Sequence, residues 1–75
     1  MTIDVRTLDQ DTSFRVRMEA YLYIDALYIL NKGKGDRLKL EDYMEKRIRA
    51  IEQILNVSRP FTIVEGENVI LEVKR

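Results

Sequence analysis

The stretch Ala20-Tyr21-Leu22-Tyr23-Ile24-Asp25-Ala26-Leu27-Tyr28-Ile29-Leu30 decides how this chain is built. Ten of its eleven residues are apolar or aromatic, and Asp25 is the only charge. A bilayer span needs about 20 apolar residues, so the run is too short to be one. Asn31-Lys32-Gly33 follows, a basic residue and then a glycine, which is a common way to end a helix. Upstream, Val16, Ala20, Tyr23, Leu27 and Leu30 are spaced four, three, four and three residues apart, a helical seam. Asp11, Thr12 and Ser13 are all good N-cap residues. These features favour one helix from about Ser13 to Lys32. Phe14-Arg15-Val16-Arg17-Met18-Glu19 also alternates strictly between apolar and charged residues, as a strand does, so residues 14–18 are open between the two.

The remaining chain has to cover this helix. Thr2-Ile3-Asp4-Val5-Arg6-Thr7-Leu8 alternates, with Ile3 and Val5 on one face, and reads as a short strand. Gly33-Lys34-Gly35-Asp36 is a turn. It lacks the Lys-Ser/Thr pair of a phosphate-binding loop. From about Leu38 to Asn56 the stripe Leu40, Met44, Ile48, Ile51 and Leu55 marks a second helix, with Asp42, Glu45, Lys46, Arg49, Glu52 and Gln53 opposite. Pro60, the only proline, lies just beyond it. Residues 61–64 and 69–73 are rich in β-branched residues and flank Glu65-Gly66-Glu67-Asn68, which reads as a β-hairpin. The expectation is a single domain over residues 1–75. Its class is α+β, in the order β-α-α-β-β, with a helical hairpin packed on a small antiparallel sheet.

A chain of 75 residues hides only about 60–65% of its unfolded surface on folding, so a monomer would be marginal. There is no cysteine and no histidine, which removes Cys/His nucleophile pairs, histidine bases and the usual zinc sites. Ser13 and Ser58 have no histidine to activate them. The adjacent acids Glu41 and Asp42, and the turn acids Glu65 and Glu67, read as solvated groups rather than a cation site. No enzymatic activity, metal or cofactor is expected. The 13 basic and 13 acidic residues cancel, and they also cancel within each half of the chain, whereas a nucleic-acid binder usually shows a basic excess. With no basic segment followed by an apolar run at the start, no signal peptide is expected and cytoplasmic is the default location. The first helix has no basic polar face, so a membrane-surface role is not expected.

The first helix is apolar almost all round, and such a helix is buried on every side. The second helix can take one face and the sheet another. The face around Phe14, Met18, Tyr21, Asp25 and Tyr28 is then left for a second chain, since exposed apolar patches and tyrosines mark interfaces. Asp25, central to that face, requires a partner or an exposed edge; a tyrosine hydroxyl or an arginine of a second chain would serve. The function expected is that of a small non-enzymatic interaction module, acting as a homodimer or as an accessory subunit of a larger complex.

The alternative rests on residues 14–18 as a strand. The order strand, helix, glycine turn, helix then resembles that of ribbon-helix-helix repressors over about residues 13–55. That resemblance implies a dimeric DNA-binding regulator, with Arg15 and Arg17 directed at base edges. Lys32, Lys34, Arg37 and Lys39, clustered around the turn, would meet phosphates. The extra C-terminal hairpin and the zero net charge depart from that pattern.

Overall fold

The computed structural model describes residues 1–75. Its elements run β1 (Thr2–Asp4), a 3-10 turn (Val5–Thr7), α1 (Gln10–Asn31), α2 (Arg37–Leu55), β2 (Phe61–Glu65) and β3 (Asn68–Val73). The α+β class and the order β-α-α-β-β are as the sequence predicts. The sheet is mixed rather than wholly antiparallel. β2 lies in the centre, β3 pairs with it antiparallel, and β1 pairs with it parallel, Ile3 opposite Ile63. A parallel neighbour needs a crossover, and here the whole helical hairpin is that crossover. Nothing in the local sequence of β1 sets its direction.

α1 starts three residues earlier than the cap cluster suggests. Asp9, not Asp11, Thr12 or Ser13, is the N-cap: its carboxylate accepts from the Thr12 N–H at 2.8 Å and the Thr12 hydroxyl at 3.0 Å. Residues 14–18 are therefore helical. The ribbon strand on which the repressor resemblance rests is absent, because the capped seam outweighs six alternating residues. Gly33 ends α1 with φ 70°, and its N–H donates to the Leu30 carbonyl at 3.0 Å. Asp36 caps α2, accepting from the Leu38 and Lys39 N–H groups at 3.0 and 3.2 Å. Asn56 closes α2 in the left-handed region, φ 54° and ψ 49°.

The core lies between the sheet and the two helices. Phe61, Ile63, Leu71 and Val73 face inward from β2 and β3, Val16 and Ala20 from α1, and Ile48 and Ile51 from α2. Val5 joins them from the 3-10 turn rather than from a strand, so the alternation Ile3/Val5 is kept in burial but not in secondary structure. Each such large side chain contributes about 1.5–3 kcal/mol by leaving water. A bulge opposite Ile63/Val64 re-sets β3. Ile63 faces Leu71 and Val64 faces Val69, so Ile70 is the extra residue and Val69 points out.

Two charged residues tie the elements together at the core's edge. Glu19, on α1 and 8% exposed, meets Arg47 of α2 through a single contact of 3.2 Å. Arg59, in the link between α2 and β2, pairs with Glu45 and Glu52. No helix is long and apolar enough to cross a membrane.

Candidate functional site

α1 packs on α2 through one side and on the sheet through another. Its third side has no intramolecular cover. Phe14 is 63% exposed, Met18 45%, Tyr21 47% and Tyr28 64%. At about 100° per residue, Phe14, Met18, Tyr21, Asp25 and Tyr28 all fall within about 60° of Tyr21, so they form one stripe along the helix. Phe14, Tyr21 and Tyr28 are seven residues apart, the spacing of a heptad position. Every residue assigned to this face by the sequence is exposed in the structure.

Phe14, Met18, Tyr21 and Asp25 line one shallow depression together with Arg17 and Leu22. A second groove of about 450 Å³ continues from it between the helices, sharing Leu22 and Asp25 and adding Ile29, Leu40 and Tyr43. Ile29 is 40% exposed and Tyr43 38%, so both extend the apolar surface. Tyr43 is exposed because it sits at the margin of the α2 stripe, where the arc covered by α1 ends.

Asp25 sits at the middle of this surface with no ion pair or side-chain hydrogen bond within the chain. The sequence explains why. A helical partner would have to stand three or four residues away, and those positions hold Tyr21, Leu22, Tyr28 and Ile29. Arg17 is better held. Its Nη1 is 2.9 Å from Glu65 Oε2, and its Nε donates to Ser13 Oγ at 3.2 Å.

The residues assigned to nucleic acid are not brought together. Arg15 and Arg17 are about 200° apart on the helix. Arg17 lines the aromatic depression, whereas Arg15 lines a cleft of about 430 Å³ with Met18, Glu19, Ala50, Gln53 and Ile54. The alternation that places both arginines on one side of a strand separates them once the segment is helical. Around the turn, the Lys32 ammonium lies 5.2 Å from the Tyr28 ring centroid, a cation–π contact. Arg37 is 3.5 Å from Glu41, and Lys39 lines the interhelical groove beside Asp25 and Asp36. Lys34 is exposed in the turn. The cations are therefore interleaved with acids.

No three carboxylates converge to hold a metal ion. Glu41 and Asp42 each pair with a cation one turn away on α2, Glu41 with the preceding Arg37 at 3.5 Å and Asp42 with the following Lys46 at 3.1 Å. No family model, curated protein or solved structure matches this chain.

Proposed function

We propose that this chain is a small non-enzymatic interaction module that works as a homodimer through the outer face of α1. The observation that carries the reading is the joint exposure of Phe14, Met18, Tyr21 and Tyr28 along one stripe of a helix whose other sides are packed. Contiguous apolar patches of this kind on small proteins mark contact surfaces, and tyrosine suits them because its ring leaves water while its hydroxyl finds a partner. A chain this small also gains core by association that it cannot build alone.

Size-exclusion chromatography with light scattering tests the reading. The expected mass is twice the 8.9 kDa of one chain. Met18→Glu together with Tyr21→Glu should return the 8.9 kDa species with an unchanged circular dichroism spectrum. A monodisperse 8.9 kDa wild-type protein overturns the homodimer and leaves this face to a different protein, in which case the chain serves as an accessory subunit. No observation favours DNA binding, since Arg15 and Arg17 lie on different sides of a helix.

A further inference from the structure

The exposed face of α1 is palindromic in its chemistry. Counted from Tyr21, Phe14 and Tyr28 each stand seven residues away, and Arg17 and Asp25 each stand four away. A two-fold interface places each residue against the partner's residue equally far on the other side of the axis. We infer that two copies of this chain pair through α1 in antiparallel fashion, with the two-fold axis beside Tyr21 and Arg17 of each copy bound to Asp25 of the other. The inference rests on the homodimer proposed above and fixes its register and hand of pairing.

Charge decides between the possible arrangements. A parallel pairing sets Asp25 against Asp25 of the partner subunit and Arg17 against Arg17 of the partner subunit, two like-charge contacts. An antiparallel pairing shifted one heptad toward the C-terminus sets Tyr21 against Tyr28 of the partner subunit and Arg17 against Lys32 of the partner subunit, again like charges. The register centred on Tyr21 instead gives two opposite-charge pairs and stacks Phe14 on Tyr28 of the partner subunit. It also sets Lys32 close to the partner's first helical turn, which carries Asp11. Complementarity of this kind sets register more than it sets raw affinity.

The side chains are placed for these roles. Asp25 has no partner within its own chain, and Arg17 and Asp25 line the same depression. Arg17 and Asp25 of one chain are about 12 Å apart along the helix and cannot pair with each other. Arg17 spends Nε on Ser13 and Nη1 on Glu65, which leaves Nη2 to donate across the interface. α1 spans 22 residues, about 33 Å, and Tyr21 lies within half a residue of its midpoint, so the two helices overlap over their full length.

The chain has no cysteine, so single cysteines report position without ambiguity. Under mild oxidation Tyr21→Cys should form a covalent homodimer. Phe14→Cys and Tyr28→Cys should each form no covalent dimer alone and should cross-link when mixed, because a disulfide needs Cα atoms about 4.4–6.8 Å apart. Asp25→Arg should weaken dimerisation by about tenfold, and Arg17→Asp with Asp25→Arg should restore it to within about threefold. Self-cross-linking at positions 14 and 28, with light scattering still giving a dimer, overturns the antiparallel register and leaves self-association standing. A wild-type mass of 8.9 kDa overturns both.

Discussion

Arg59 holds Glu45 in a two-pronged grip: Nη1 lies 2.9 Å from Oε1 and Nη2 lies 2.8 Å from Oε2. The same guanidinium reaches Glu52 at 3.1 Å, and the Arg59 N–H donates to Glu52 at 3.0 Å. The link from α2 to β2 is thereby fastened to the side of α2. Hydrogen bonds from Arg59 hold Glu45 at a pKa of about 2 and lower Glu52 as well, and the two carboxylates raise Arg59.

The pH dependence of stability follows from the sign of those shifts. A carboxylate depressed by folding stabilises the native state above its unfolded pKa and loses that stabilisation as the pH falls toward the folded value. The window for Glu45 therefore runs from 4.5 down to about 2. Asp4, held at about 2 chiefly by hydrogen bonds from Arg6, adds a slope below 3.8. The melting temperature should be nearly flat from neutral pH to about 5 and fall below it. Arg59→Met should remove part of that fall, about 1 kcal/mol for groups this exposed. Melting curves at stepped pH check it.

Glu19 and Arg47 make a different prediction. Their one contact leaves Glu19 Oε2 and Arg47 Nε buried without partners, although Arg47 also lies over the Tyr43 ring at 4.9 Å. A buried pair satisfied this poorly offsets little of its desolvation cost. Arg47→Met alone should destabilise by about 3 kcal/mol, because Glu19 is then left unpaired. Glu19→Met with Arg47→Met should be neutral or stabilising by about 1 kcal/mol. Urea unfolding of the single and double variants distinguishes the two outcomes.

The bulge in β3 can be tested against the core. Ile51 is fully buried, and Ile51→Ala should cost about 2–5 kcal/mol. Val69, turned outward at 63% exposure, should tolerate alanine within about 0.5 kcal/mol. Without the bulge Val69 would share the inward face with Leu71 and Val73, and its loss would approach that of a core residue. Chemical denaturation of both variants provides the comparison.

Asn56 closes α2 at φ 54°, where a Cβ crowds the backbone. Asn56→Gly should raise stability by about 0.5 kcal/mol, and Asn56→Ala should lower it by about 1 kcal/mol. Thermal denaturation reads both.

The legible parts of this molecule were those fixed locally. The α2 stripe, the glycine stop at Gly33 and the hairpin arms each follow from residues within a few positions of one another. The exposed stripe of α1 was legible for a related reason: a helix apolar on all sides has more faces than two neighbours can cover. The direction of β1 was not legible, because Thr2 meets Thr62 only after two helices have folded back. Asp9 does not stand out as the cap in the sequence because three good candidates follow it, and only the Thr12 hydroxyl and N–H acting together select it. The burial of Glu19 was hidden in a segment whose charges otherwise face water. The alternation of Arg15 with Arg17 mimics a strand, and the helix instead turns the two side chains about 200° apart.

The parallel seat of β1 beside β2 has a consequence for how the chain can be rearranged. Thr2 lies opposite Thr62, and Thr62 lies opposite Glu72, so the two ends of the polypeptide stand two strand spacings apart, about 10 Å. A short linker from Arg75 to Met1 would make the backbone a closed ring, and a new opening at Gly33-Lys34-Gly35 would cut no strand and no helix. Such a permuted chain would begin with α2 and end with α1. It would tie the two outer strands of the sheet together and place both new termini at the turn of the helical hairpin.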